Sequence, residues 1–187
     1  MPAYLLLLAA LLIRPGILPH SGWLQFSAIG GALLYFGAKR AKHLWWEMLL
    51  PVTAMAAVDY YLTVQVYAYP FVWQAYLVTW AWYVAAIVLG RILLARKVSV
   101  LRVVSAVVLG PTSFFLASNY GVWADSHQAG GMYAPTFGGL LTCFAAGLPF
   151  YERDLISTAL VLTLAFGIPA TVRRFQENRE LASHQTL

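Results

Sequence analysis

Leu49-Leu50-Pro51-Val52-Thr53-Ala54-Met55-Ala56-Ala57-Val58-Asp59-Tyr60-Tyr61-Leu62-Thr63-Val64 is an apolar stretch long enough, with its flanks, to cross a bilayer, and it carries one acid in its interior. A carboxylate at that depth costs at least ~2.5–3.5 kcal/mol on insertion scales, and such residues usually face a bundle interior or a wet cavity. Asp59 is therefore the first candidate for a functional site. The alternative is a structural acid, protonated or held in a hydrogen bond from one helix to another.

Composition extends this reading to the whole chain. Hydrophobic residues make up 61% of the 187, charged residues only 10%, and mean hydropathy is +0.70. A soluble domain carries about 25% charge, so the expectation is an all-α integral membrane protein forming one helical domain over residues 1–175, with a polar cytoplasmic tail at 176–187. The net charge of +5 does not point to nucleic acid, because the basic residues fall in short clusters between apolar runs. One cysteine, Cys143, excludes an intrachain disulfide and a thiolate-rich metal site. The run Tyr4 to Ile13 lacks a basic leader and is followed by Arg14-Pro15, so it reads as part of the mature protein rather than as a signal peptide.

Hydropathy predicts six spans near 3–14, 24–38, 45–66, 73–93, 101–118 and 153–172. A further apolar stretch at 136–150 is short, glycine-rich and ends at Pro149, which predicts a re-entrant or interfacial helix. Lys39, Arg40 and Lys42 lie between spans two and three; Arg96, Lys97 and Arg102 flank the fourth connection; Arg173, Arg174 and Arg179 follow the last span. The positive-inside rule then places both termini in the cytoplasm and the odd-numbered connections outside.

The outer connections concentrate residues suited to binding: His20, then Trp73, then Asn119, Tyr120, Trp123 and Tyr133. An aromatic belt accounts for tryptophan and tyrosine at an interface, but it does not require the accompanying His, Asn and Asp. The stretch 119–134 reads as a loop that lids a pocket. If the third span leaves the membrane near Tyr67, Asp59 lies eight residues deep, about 12 Å. Val52, Met55, Ala56, Thr63 and Val66 share one helical face with it. In the fifth span Pro111 invites a kink, and Thr112, Phe115 and Asn119 form a stripe that could be a second wall. Thr136, Gly139, Cys143 and Gly147 share a face on which close helix packing is the default reading for the thiol. Ser27/Gly31 and Ala28/Ala32 are overlapping small-residue pairs of the same kind.

No zinc-protease helix, phosphate-binding glycine loop or serine-nucleophile elbow occurs. No catalytic residue, metal ligand or required cofactor is expected.

Two groups of motifs carry a family resemblance. One comprises Arg14-Pro15-Gly16-Ile17-Leu18-Pro19-His20, the stretch Phe26 to Ala38 and the Pro51–Asp59 run. The other comprises Ser118-Asn119-Tyr120-Gly121-Val122-Trp123, Met132-Tyr133-Ala134-Pro135-Thr136, Gly138 to Cys143 and Leu148-Pro149-Phe150-Tyr151. Over about residues 14–168 the chain resembles small bacterial membrane proteins that are similar to the substrate-binding S components of energy-coupling-factor vitamin transporters. Within that superfamily it is most similar to the solitary BtuM-type cobalamin-uptake proteins, which have a histidine matching His20 and a buried aspartate matching Asp59. The cysteine with which those proteins ligate cobalt has no counterpart in Phe71-Val72-Trp73-Gln74, and Cys143 is not at the matching place.

The resemblance implies an S-component-like fold in a bacterial inner membrane. It also implies capture of a vitamin-like small molecule in an outward-facing aromatic cavity, with cobalamin or another corrinoid as a candidate ligand and an energy-coupling module as a candidate partner. The expected substrate contacts are His20, Asp59, Thr63, Trp73, Asn119, Tyr120, Trp123 and Tyr133. Two other classes remain open: a structural or assembly subunit of a membrane complex, and a cofactor-modifying membrane enzyme using Cys143.

Overall fold

The computed structural model describes residues 2–13, 27–40, 45–126 and 131–184. The described residues form six α-helices: α1 Pro2–Leu12, α2 Ile29–Arg40, α3 Leu49–Tyr61, α4 Leu77–Leu94, α5 Val100–Asp125 and α6 Phe137–His184. Short 3₁₀ turns at Trp45–Met48 and Trp73–Tyr76 lead into α3 and α4, and a π-helical turn at Leu62–Val66 continues α3. There is no strand among the described residues. Among the described residues, four helical stretches are long and apolar enough to cross a membrane: Trp46–Val66, Trp73–Leu94, Val100–Asp125 and Phe137–Arg179. Their exposed positions are rich in leucine, valine, isoleucine and aromatic side chains. Such a surface suits lipid, and the chain is a helical membrane protein.

The bundle is organised around a short helix, α2. Every residue of α2 from Ile29 to Ala38 is buried, enclosed by α1, α4, α5 and α6. Close approach to α4 depends on glycine at two points. A Cβ at Gly37 would stand 1.9 Å from the Ile87 carbonyl oxygen, and one at Gly90 would stand 2.0 Å from that of Leu34. Gly31 gives α6 the same proximity, since a Cβ there would meet Val161 Cβ at 2.7 Å. The small-residue pattern of the second span thus serves packing within the bundle.

Contacts along these seams fix the helix directions. Gly30 meets Trp82 and Gly37 meets Ile87, so α2 and α4 run the same way. Gly30 meets Thr158 and Tyr35 packs on Phe166, so α6 runs with them. Asp59 with Trp80 and Thr63 with Tyr76 set α3 antiparallel to α4. The pairs Trp82/Ser113 and Arg102/Leu93 do the same for α5. Lys39 and Arg40 close α2, while Arg96 and Lys97 follow α4. At the same end Arg102 donates to the Leu93 carbonyl at 3.2 Å, satisfying an unpaired group of the α4 C-terminus. Arg40 also pairs with Glu47 at 2.7 Å, tying α2 to the turn before α3.

Three expectations need correction. The stretch 136–150 is not a separate segment: it forms one continuous helix with the predicted span 153–172. That helix is 48 residues long, about 72 Å at 1.5 Å per residue. Pro149 and Pro169 lie inside it, and membrane helices tolerate proline where neighbouring groups re-satisfy the backbone. Its N-terminus is capped by Thr136, whose Oγ1 accepts from the Gly139 N–H at 3.1 Å. Second, the polar tail, whose composition predicts a frayed extension from Phe175 onward, is helical through His184. Third, α5 continues to Asp125, so Asn119, Tyr120 and Trp123 are helical residues and not part of a loop.

Candidate functional site

A cavity of about 600 Å³ opens between α2, α3, α4, α5 and α6. Asp59, Thr63 and Asn119, three of the residues proposed from sequence, line it together with Pro111 and Phe115.

The α3–α4 wall is built on Asp59, which is only 2% exposed. Its Oδ2 accepts the Trp80 indole N–H at 3.0 Å. Thr63 Oγ1 donates back to the Asp59 carbonyl at 2.7 Å, which leaves the Tyr76 hydroxyl to donate to Thr63. Tyr76 stacks between Phe71 and Trp80, with ring centroids 5.2 and 5.8 Å away, and Tyr60 meets the Phe71 edge at 5.1 Å. The π-helical turn starts three residues after Asp59, and π turns recur at functional sites because the extra residue re-aims side chains. The chain then leaves through Ala68 at φ 55°, a left-handed conformation that a non-glycine residue adopts only at a cost.

The opposite wall comes from α5 and α6. Asn119 Nδ2 donates to the Phe115 carbonyl at 2.8 Å, and its side chain lies over Gly147, where a Cβ would stand 2.5 Å from Asn119 Oδ1. Thr112 Oγ1 donates to the Val108 carbonyl, so the Tyr151 hydroxyl donates to Thr112 at 3.0 Å. Phe115 packs on Tyr151 and Phe144. The stripe Thr112, Phe115, Asn119 is therefore the face α5 turns to α6, and of the three only Phe115 and Asn119 line the cavity.

The other expected contacts are placed elsewhere. Trp73 is 53% exposed in the 3₁₀ turn before α4, and Tyr120 is exposed and packs on Trp123. Trp123 donates its indole N–H to the Ala134 carbonyl at 3.0 Å, bracing the α5–α6 connection. Neither these three nor Tyr133 lines the cavity. His20 lies outside the described residues. Among those residues, no group of three His, Cys, Asp or Glu side chains could hold a metal ion.

Residues 1–180 match the model of a protein family described as a family of unknown function, DUF6580. The chain belongs to that family. No curated protein and no solved structure matches it.

In this DUF6580 member the cavity also contains residues that sequence reasoning passed over. Arg153 and Asp154 line it, with Trp82, Tyr83 and Gly30. Glu152-Arg153-Asp154 reads as a charged boundary if the helix ends at Pro149; a continuous α6 carries it into the bundle. The available signal was the polar set Asp154, Ser157 and Thr158, which shares one helical face at three- and four-residue spacing. Trp82 and Tyr83 left no such signal, because a cavity-facing aromatic and a lipid-facing one look alike in an apolar span.

Cys143 is 1% exposed and does not line the cavity. Its thiol donates to the Asn119 carbonyl at 3.3 Å, locking α6 against α5. The folded protein is accordingly expected to resist maleimide labelling until it is denatured, because a buried thiol is inert. Stoichiometric labelling under native conditions, read by mass spectrometry, would reopen a reactive role for Cys143.

Proposed function

We propose that this chain is a substrate-binding membrane protein for uptake of a vitamin-like small molecule. One observation carries the reading: a preformed cavity of about 600 Å³ that unites Asp59, Thr63 and Asn119 with tyrosine, tryptophan and phenylalanine side chains. Ligand sites are typically clefts of about 300–1,000 Å³, mostly apolar, with a few convergent polar groups. An acid kept at membrane depth beside such a cavity fits a ligand contact.

In this proposal α1 and α2 complete a bundle of six crossings resembling an S component. Alternating helix directions and the clustering of basic residues at one end support it, and the positive-inside rule assigns that end, with both termini, to the cytoplasm of a bacterial inner membrane. The end near Tyr67 and Asn119 then faces outward and admits the ligand. An energy-coupling module is the proposed partner, and cobalamin or another corrinoid is the first ligand to test. The second reading, a structural or assembly subunit, is favoured by the bond from Trp80 to Asp59, which gives the acid a purely internal task.

Calorimetric and absorbance titration of the detergent-purified protein with cobalamin, cobinamide and a panel of other vitamins separates the two. The expected result is saturable binding of one compound, weakened about tenfold in Asp59→Asn, the loss expected when a charged hydrogen-bond partner becomes neutral. No binding across the panel would bring the structural reading forward.

A further inference from the structure

The two longest helices, α5 and α6, wall the cavity together and are held by different partners on either side of one level. Toward the basic end both are fastened to the core. In α6, Ser157 Oγ donates to the Ser27 carbonyl at 2.8 Å, and Val161 lies against Gly31. In α5, Arg102 holds the end of α4, and Leu34 lies against Gly110. Toward the mouth of the cavity the same two helices are held to each other. Cys143 Sγ donates to the Asn119 carbonyl at 3.3 Å, Asn119 lies over Gly147, and Trp123 donates to the Ala134 carbonyl. Toward α4 this outer part meets apolar surface: a Cβ on Gly121 would lie 3.2 Å from Val78 Cγ2. The core helix α2 starts only at the level between the two parts, where Gly30 lies beside Asp154.

That level is marked by a proline inside each helix, Pro111 and Pro149. The two stand at one height, because Tyr151, two residues after Pro149, bonds through its hydroxyl to Thr112, the residue after Pro111, at 3.0 Å. Each proline lacks the N–H that would bond the carbonyl four residues back, that of Val107 in α5 and of Ala145 in α6, and sharp helix bends concentrate at such sites. A second feature weakens α5 at the same place. Thr112 Oγ1 donates to the Val108 carbonyl at 2.6 Å and Ser113 Oγ to that of Gly110 at 2.7 Å, and back-bonding of this kind bends helices. Two hinges at one height, joined by a bond between them, make a crease.

We infer that residues 112–125 of α5 and 137–148 of α6 form one arm that swings on the Pro111–Pro149 crease and sets the width of the cavity mouth. This inference deepens the proposed function and rests on it, by describing how the ligand cavity is reached. The arm carries Phe115, Ser118, Asn119 and Gly147 of the lining, whereas Gly30 and Asp154 stay with the fixed body. Opening parts the arm from α4 at the apolar contact of Gly121 with Val78. The bond of Thr112 to Tyr151 lies on the axis and persists through the swing. The α5 part of the arm is about 21 Å long at 1.5 Å per residue, so a bend of about 20° moves its tip by about 7 Å.

The test reads distances between nitroxide labels by double electron–electron resonance on the full-length protein in detergent. One pair, Tyr61→Cys with Leu141→Cys, joins α3 to the arm; the reference pair, Leu50→Cys with Leu164→Cys, joins α3 to the fixed part of α6. All four positions are exposed, while Cys143 is buried and stays unlabelled. The expected result is two populated distances several ångströms apart for the arm pair and one narrow distance for the reference pair. Pro111→Ala combined with Pro149→Ala, which returns both backbone donors, should reduce the arm pair to a single distance and leave the reference pair unchanged. One narrow distance for the arm pair with both prolines present would overturn the inference, and it does so even if the alanine variant does not fold. So would a spread that persists in the alanine variant, or an equal spread in both pairs, which would mean that the bundle is loose throughout. No ligand enters this measurement, so its failure leaves the proposed function to be judged by the panel titration alone.

Discussion

Alanine at Gly37 or Gly90 is expected to abolish the native bundle. The added methyl group at either position would stand about 2 Å from a carbonyl oxygen of the facing helix, against Ile87 in one case and Leu34 in the other. The obstruction is backbone and not a side-chain tip, so no rotamer change relieves it. The two helices would have to separate along the seam at the centre of the core. Overpacking usually costs about 1–3 kcal/mol, and an obstruction made of backbone belongs at or above the top of that range. Measured in detergent, each variant should show a loss of the monodisperse peak or a large fall in thermal midpoint. Gly167→Ala is the internal comparison, since nothing lies within 4 Å of an added Cβ there. It should leave the midpoint unchanged or raise it slightly, by up to about 1 kcal/mol from the better helix propensity. A wild-type midpoint for Gly37→Ala would mean that α2 and α4 do not touch as described.

Asp59 carries the second large effect, and two substitutions divide its roles. Asp59→Leu removes the acceptor of the Trp80 indole N–H and with it the fixed end of the Tyr76–Trp80 stack. An unsatisfied donor costs about 1–3 kcal/mol, so this variant should melt well below the wild type and lose near-ultraviolet circular dichroism. Asp59→Asn keeps an oxygen in place for Trp80 and removes only the charge; its midpoint should stay close to that of the wild type. If Asp59→Leu is instead as stable as the wild type, the cost of burying the carboxylate offsets its bond to Trp80. The acid would then owe its place to something other than stability, which strengthens the case for a ligand.

Much of this architecture was legible in the sequence. The apolar runs mark each helix, the basic clusters mark one end of the bundle, and the single acid in the third run lies in the cavity wall. What misled was local punctuation. Pro149 followed by three charged residues looks like the end of a segment, because proline usually breaks helices and charges prefer water. Inside a bundle neither rule governs, and α6 runs through both. The outer aromatics misled for a related reason: Trp123 and Tyr120 sit near a connection, but α5 carries them as helical residues facing away from the cavity. Asp59 was visible because it is isolated among apolar neighbours. Asp154 was hidden because Glu152 and Arg153 stand beside it.

The burial of α2 has a consequence for how the protein is made. With 12 residues, three of them glycine, it is too short to settle in a bilayer of ~30 Å on its own merits, which takes about 20 predominantly apolar residues. Its tightest neighbours are α4 and α6, which lie later in the chain and leave the ribosome after it. During synthesis the N-terminal pair of helices must therefore wait, provisionally lodged, for the walls that will enclose it. The centre of the molecule is the part completed last.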